Sequence, residues 1–229
     1  MGTTKRVATA MGGVLAPRIM QLAPGVTSNF VKQALHRAIE GVGPLPPAMA
    51  AAEKQREDHG GDAERAIREI IEHHVAFASA GGFATNLGGL VTTAVTLPAN
   101  VTGLALIQCR MVAEIAHLRR YDLDDARVRN AILLTLLGRE KVDREIRAKK
   151  LPAPPMAVAT APAYDAHLDR IVSAEVASEL LTRVAGKRLA TTLGRKVPVV
   201  GGVVGAGADG MATYQVGRYA RRELLARPR

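Results

Sequence analysis

Residues 73–118 read HHVAFASAGGFATNLGGLVTTAVTLPANVTGLALIQCRMVAEIAHL. Between Glu72 and Arg110 there is no Asp, Glu, Lys or Arg, although 23% of the chain is charged. A stretch of this length without charge avoids bulk water, so we expect it in a protein core, against a partner surface or in lipid. The remaining chain has to provide that environment.

The composition favours helices over strands. The 229 residues are 48% hydrophobic, which is enough to bury a sizeable core, yet they include only three Phe, four Tyr and no Trp. Ala, Gly, Val and Leu suit closely packed helices better than a sheet built on aromatic and β-branched pairs. We predict an all-α fold, a helical bundle with a long Gly/Ala-rich apolar helical hairpin at its centre.

The cysteine count and the N-terminus bear on the compartment. Cys109 is the single cysteine, so it excludes an intramolecular disulfide and a zinc site built on several cysteines. Arg18 interrupts the N-terminal region before an uncharged segment reaches the length of a secretory signal. Both features favour a reducing, cytoplasmic setting.

Basic residues flank the second uncharged segment, VPVVGGVVGAGA at 197–208. With a formal net charge of +10, the chain should attract polyanions. Few aromatics accompany the basic residues, which disfavours nucleic acid and favours acidic lipid headgroups. A solvated basic face is the alternative interpretation. The predicted headgroup contacts are Lys187, Arg188, Arg195, Lys196, Arg218, Arg221 and Arg222.

The region before Asp62 is predicted to be an extension of the main domain. Its clearest helix begins at Ser28 as N-cap and stops at Gly43. Residues 52–64, AEKQREDHGGDAE, are polar and contain a Gly pair, which predicts a linker. We therefore divide the chain into residues 1–61, an N-terminal helical extension and polar linker, and residues 62–229, the main helical domain.

The central hairpin is predicted from glycine spacing. Asp62 caps a helix that runs into the uncharged stretch, where two Gly pairs one heptad apart form a smooth strip. Pro98 is expected to break it, and a second helix, from about Asn100 to Arg120, turns amphipathic. The Gly-rich strip at 201–206 is its natural mate. The predicted lipid or partner contacts are Gly82, Phe83, Gly89, Leu97, Pro98, Gly201 and Gly205.

Two environments are possible for the central hairpin, namely the buried core of a soluble bundle or the interior of a membrane. Residues 75–97 are long enough to span a bilayer, but they are rich in Ala, Gly and Thr, and the second arm reaches Arg110 after about a dozen residues. Further along, an acidic turn opens a helix that ends at Gly138, residues 138–163 are predicted to be an exposed connection, and residues 164–193 form one or two helices.

Candidate sites are few. Glu114 and His117 form an ExxH pair and Glu69 precedes His73 by four residues, but a dimetal site needs a second ExxH pair, so we predict no metal and no cofactor. No nucleophile elbow, zinc-protease motif or P-loop occurs, so we predict no catalytic residue and no enzyme. The polar residues inside apolar runs are Asn86, Gln108 and Asp209, and we expect Asp209 to find a partner such as Arg110, Arg218 or water.

The sequence resembles the EcsC family between Ile70 and Leu225. Residues 73–125 are similar to the family's central signature, which is a Gly-rich helix, a Leu-Pro break and a helix ending in Tyr-Asp, and residues 197–224 are similar to its closing motif. The resemblance implies a bacterial, membrane-associated accessory protein without established catalytic chemistry, of a family named for a protein encoded with an ABC transporter. Thr96 stands where many members carry an acid before Leu-Pro.

Together these observations predict a non-enzymatic accessory protein. We expect it to be cytoplasmic and peripheral to the inner face of the cell membrane, with anionic lipid as its partner and without nucleic acid. The alternative is a soluble homo-oligomeric interaction protein whose Gly strips meet other chains. The sequence discloses no reaction and no substrate.

Overall fold

The computed structural model describes the backbone of residues 24–87, 93–193 and 198–228, and the side chains of residues 29–80, 103–183 and 207–228. Within these ranges the chain forms nine helices and no strand, so the predicted all-α fold is confirmed. The helices are α1 (Pro24–Glu40), α2 (Ala48–Asp58), α3 (Ala63–Leu87), α4 (Thr93–Leu118), α5 (Ala126–Leu137), α6 (Arg139–Arg147), α7 (Pro155–Ala159), α8 (Ala166–Leu193) and α9 (Pro198–Glu223).

Helix α4 lies at the centre of the bundle. It packs against α1, α2, α3, α5, α8 and α9, and almost every side chain from Leu104 to Leu118 is buried. The prediction that this helix turns amphipathic after Arg110 is wrong. Because neighbours surround the helix on all sides, even Arg110 and Glu114 are buried.

Helices α3 and α9 form the most extensive helix pair, and they run antiparallel. Gly210 lies beside Val75 and Ser79, and Gly217, seven residues later, lies beside Ile71, earlier in α3. The prediction that the Gly-rich closing segment packs against the central Gly-rich helix is therefore confirmed at the level of the two helices.

The predicted N-cap of α3 is confirmed. The Asp62 carboxylate accepts hydrogen bonds from the backbone N–H of Glu64 and Arg65, at 2.9 and 3.0 Å, at the start of α3. Asp125 caps α5 by accepting from the Arg127 N–H. Helix α5 ends at Leu137, before Gly138 with a φ of 78°, a backbone conformation that favours glycine.

Two predicted connections are helices instead. Residues 52–58 of the predicted linker belong to α2, because Ala48 and Ala52, one turn apart, bury a narrow apolar side under an otherwise polar surface. In the predicted exposed connection, residues 139–147 form α6 and residues 155–159 form α7. Val142 and Val158 anchor these two helices in the core.

Two predicted helix boundaries are also wrong. Helix α1 begins at Pro24, four residues before Ser28, because proline at the first helical position forfeits no backbone hydrogen bond. Pro98 does not separate the two arms of the hairpin, since it lies inside α4, which begins at Thr93. Helix α3 ends at Leu87, so the two arms are already distinct helices before Pro98, which is the sixth residue of α4.

The first two helices share the core of the rest of the bundle. Val31 and Leu35 of α1 and Ala48 of α2 belong to the same cluster of buried side chains as Ile67 of α3 and Met111 of α4. The division of the chain at residue 62 stays a prediction.

Candidate functional site at the apolar end of the bundle

One end of the bundle is built from uncharged sequence. Five residues separate the end of α3 from the start of α4, and four residues separate the end of α8 from the start of α9. Since α3 and α9 are antiparallel, the start of α9 lies beside the end of α3. The end of α3 and the starts of α4 and α9 therefore meet, and we name this part the apolar end. Its sequence is uncharged over residues 75–109 and 197–208.

The exposed side of α3 changes character as the helix approaches the apolar end. In its first three turns the exposed residues are Arg65, Arg68, Glu72 and His73. One turn later they are Ala76, Phe77 and Ala80, and the Phe77 side chain is 67% exposed. On α9, Gly207, Ala208 and Met211 are exposed as well. A soluble bundle normally places polar residues at such positions. This surface is therefore unusually apolar, which is typical of surfaces that contact an apolar partner.

The α3–α9 pair is held close by two glycines that the sequence analysis missed. A Cβ at Gly217 would lie 2.9 Å from Ile71 Cγ1 and 3.1 Å from Met111 Sδ, and a Cβ at Gly210 would overlap the Ser79 hydroxyl. Gly210 and Gly217 are seven residues apart, the spacing already noted for the glycine pairs of α3. That repeat was the available signal.

The predicted lipid or partner contacts lie in the helices of the apolar end. Their side chains fall outside the described residues, and Gly89 falls in residues 88–92, also outside them. Their contact with lipid or a partner stays a prediction. The helices concerned are α3 (Gly82 and Phe83), α4 (Leu97 and Pro98) and α9 (Gly201 and Gly205). Among the helices that the structure describes, none combines the length and the hydropathy that crossing a bilayer requires.

The predicted headgroup contacts occupy two different places. Lys187 and Arg188 are in the last two turns of α8, whose end is joined to the start of α9, while Arg195 and Lys196 lie outside the described residues. Arg218, Arg221 and Arg222 are near the end of α9, about 30 Å from its first residue.

The arginines near the end of α9 also differ in their surroundings. Arg221 Nε lies 3.2 Å from Glu64 Oε2, which ties α9 to the start of α3. The Arg218 guanidinium lies over the Tyr214 ring, 5.5 Å from its centroid. The arginines near the end of α9 are therefore remote from the end of α8, where Lys187 and Arg188 lie, and headgroup contact at each of the seven predicted residues stays a prediction.

The predicted buried polar residues have different surroundings. Gln108 is completely buried, and its Nε2 donates to Thr213 Oγ1 at 3.2 Å, which links α4 to α9. Asp209 is partly buried, and the side chain of Asn86 lies outside the described residues. Of the partners considered for Asp209, Arg110 pairs with Glu114 and Arg218 stacks on Tyr214. Which group Asp209 contacts stays a prediction.

A buried ionic cluster lies halfway along α4. Arg110 Nε is 2.9 Å from Glu114 Oε1, and His74 Nε2 of α3 is 3.9 Å from Glu114 Oε2. Arg110 Nη1 also donates to the Pro46 carbonyl at 2.7 Å, so it fastens the α1–α2 connection to the core. Sequence analysis missed this cluster, although the four-residue spacing of Arg110 and Glu114 was a signal.

Burial shifts the pKa values of two groups in this cluster. Burial raises the pKa of Glu114 to about 7 although Arg110 opposes the shift, and burial lowers the pKa of His74 to about 4. Displaced pKa values also occur in catalytic sites, but such sites are open to substrate. The Glu114 side chain is only 4% exposed, so this arrangement serves the packing of α4.

The ExxH pair does not converge on one point. Glu114 faces Arg110 and His74, whereas His117 Nε2 lies 2.8 Å from Glu53 Oε1 of α2. His73 pairs with Glu69 at 3.0 Å on the surface of α3. In the described part of the chain, no three His, Cys, Asp or Glu side chains are grouped so that they could hold a metal ion.

Sequence comparison assigns the chain to a family. The model of the EcsC protein family matches residues 19–227, so the match begins in front of α1 and includes both N-terminal helices. It extends well beyond the resemblance recognised between Ile70 and Leu225. No curated protein and no solved structure shows significant similarity to the chain. Because the family model covers most of the sequence, the chain belongs to the EcsC protein family.

Proposed function

We propose that the protein is a non-enzymatic accessory protein that binds the surface of a membrane with its apolar end. The observation that carries the proposal is the change along α3 from exposed Arg65 and Arg68 to exposed Ala76, Phe77 and Ala80. Phe77 would enter the boundary between headgroups and acyl chains, as aromatic residues of surface-bound helices do. The bundle would then stand on the membrane without crossing it.

Charge supports an anionic membrane over a second copy of the same chain. The formal net charge of +10 repels another copy but attracts acidic lipid. Lys187 and Arg188 lie within two turns of the end of α8, close to the start of α9. With Arg195 and Lys196, they supply the basic flank that would contact headgroups. In a bacterial cell, the inner face of the cell membrane would be the corresponding surface.

The titratable groups support a role without chemistry. Glu114 and His74 have strongly displaced pKa values, and both are enclosed between helices. Glu114 is paired with Arg110, and Arg110 is bonded to the backbone. A general acid or base has to reach its substrate, which this enclosure prevents.

Flotation with lipid vesicles tests the proposal. The full chain should float with vesicles containing phosphatidylglycerol, more weakly with pure phosphatidylcholine vesicles, and less at high salt. Phe77→Ser should weaken binding roughly tenfold, because immersing a largely exposed Phe contributes about 1–2 kcal/mol. Tyr164→Ser is the matched control. Tyr164 is also exposed, but it precedes the start of α8, and the end of α8 near the apolar end lies about 40 Å away along the helix.

Two results would count against membrane binding. If the protein floats with neither kind of vesicle, the proposal is wrong. If light scattering instead shows an oligomer that Phe77→Ser dissociates and Tyr164→Ser does not, the same surface serves the homo-oligomeric alternative. Flotation that survives high salt would mean that insertion of apolar residues outweighs the basic flank.

A further inference from the structure

An open cleft lies between the α5–α6 junction, α8 and α9. It has a volume of about 890 Å³, within the range of small-molecule sites. Tyr214 and Tyr219 of α9 form part of its wall. We name it the arginine cleft, because five of the residues lining it are arginines, namely Arg139, Arg144, Arg183, Arg218 and Arg222.

Most acidic groups of the cleft are already engaged. Glu179 pairs with Lys141 at 3.2 Å and with Arg183 Nε at 3.0 Å. Asp143 lies 3.6 Å from Arg139. Glu223 accepts a hydrogen bond from a backbone N–H of α7. Glu140 also lines the cleft, so six basic residues face four acidic ones and basic groups are in excess.

Arg218 and Arg222 supply that excess. They stand four residues apart, on the same side of α9, and both are exposed. Among the residues that the structure describes, neither has a carboxylate within 4 Å. Stacking on Tyr214 holds the Arg218 guanidinium in place without neutralising it. Two guanidinium groups without counter-ions among the described residues, one of them held by Tyr214, are suited to bind a phosphate, with several donors on each side.

The walls of the cleft offer further donors. Arg183 Nη2 donates to the Leu137 carbonyl at 3.2 Å, while Nη1 is buried and has no hydrogen-bond partner within the described ranges. Helix α6 begins at this wall after Gly138, without a side chain that caps its first N–H groups. Unpaired N–H groups at a helix start favour an anion, and together with the arginines they make the cleft strongly donor-rich.

We propose that the arginine cleft binds a water-soluble compound carrying a phosphate or pyrophosphate group. Arg222 lies fifteen residues beyond Gly207, about 22 Å along α9 from the apolar end. Headgroups of a membrane at the apolar end do not extend so far, so a free phosphate compound fits this position better than a lipid. Met211, which is exposed on the apolar surface, also lines the cleft, but Arg218 and Arg222 lie two and three turns further along α9. This inference does not depend on membrane binding.

Calorimetric titration of the full chain with sodium pyrophosphate tests the inference. We expect a dissociation constant below about 1 mM at low ionic strength. Arg218→Gln and Arg222→Gln should each weaken binding about tenfold, because each removes a charged donor pair from the cleft. Arg221→Gln is the matched control. It removes the same charge from the same helix, but Arg221 pairs with Glu64 on α3.

The outcomes separate this inference from nonspecific attraction. Equal weakening in all three variants would show general attraction to a basic protein, and absence of binding at 10 mM pyrophosphate would also overturn the inference. Vesicles with phosphatidic acid provide the second arm. If they bind through Arg218 and Arg222 while pyrophosphate does not, the ligand is a lipid headgroup, and the water-soluble assignment is wrong. Phe77→Ser should leave pyrophosphate binding unchanged even where it abolishes flotation.

Discussion

Replacing Glu114 by Gln should change how the stability of the protein depends on pH. The folded pKa of Glu114 is about 7 against an ordinary value of 4.5. The folded chain therefore holds this proton more tightly than the unfolded chain does, and the associated stability is present below pH 4.5 and lost as the pH rises through 7. A difference of about 2.5 pKa units corresponds to a loss of roughly 3 kcal/mol.

His74 acts in the opposite direction. Its pKa falls from 6.5 to about 4 on folding, so stability is lost as the pH falls through 6.5 towards 4, again by roughly 3 kcal/mol. In the wild-type protein the two contributions nearly cancel between pH 4.5 and 6.5. In Glu114→Gln only the His74 contribution remains, and the variant should gain about 3 kcal/mol relative to wild type as the pH rises from 4.5 to 7. Losing the contacts that the protonated Glu114 side chain makes adds an offset that does not depend on pH.

Urea unfolding at several pH values between about 4.5 and 7.5 measures this difference. Groups that titrate in the same way in both proteins cancel when variant and wild type are subtracted at each pH. His74→Gln is the complementary variant. Its stability relative to wild type should fall by a similar amount over the same range, because the Glu114 contribution then remains alone. Parallel stability curves for the three proteins would refute the assignment of the buried titration to this pair.

Two further predictions concern the packing of α9 and α4. Gly217→Ala should be less stable than Gly207→Ala by about 1–3 kcal/mol, because the added methyl group meets Ile71 and Met111 at Gly217 but open space at Gly207; thermal unfolding of the two variants measures the difference, and equal melting temperatures would contradict the close approach. Cys109 is fully buried, and burial raises the pKa of its thiol to about 12. Alkylation of Cys109 should therefore require unfolding, and the alkylation rate should rise with added urea. Rapid alkylation without denaturant would contradict the burial.

The parts of the fold that could be predicted depend on neighbours in sequence. Asp62 caps a helix through N–H groups two and three residues away, and Gly138 ends a helix by its own φ. Helix α2 escaped prediction because its buried side consists of only Ala48 and Ala52, which form no apolar stripe that the sequence pattern reveals. Whether such residues are buried depends on what packs on them, which a local pattern does not encode.

The same distinction applies to the candidate surfaces. Absence of charge is visible in sequence, so the helices of the apolar end could be found before their arrangement was known. The basic residues could not be assigned to surfaces, because their neighbours come from distant segments. Arg221 meets Glu64, which is 157 residues earlier, whereas Arg222, its neighbour in sequence, lines the arginine cleft with Arg183. Charged residues that are adjacent in sequence thus lie on different sides of the same helix.

Arg110 ties the N-terminal helices to the core of the bundle. An arginine in the middle of a buried helix is costly unless its donors are satisfied, and Arg110 is satisfied by Glu114 and by the Pro46 carbonyl. Pro46 lies between α1 and α2, so the hydrogen bond that offsets the cost of burying Arg110 comes from the N-terminal region. The match of the EcsC model from residue 19 onwards agrees with this dependence. Helices α1 and α2 complete the environment of α4, and the uncharged start of α4 is in turn held at the apolar end.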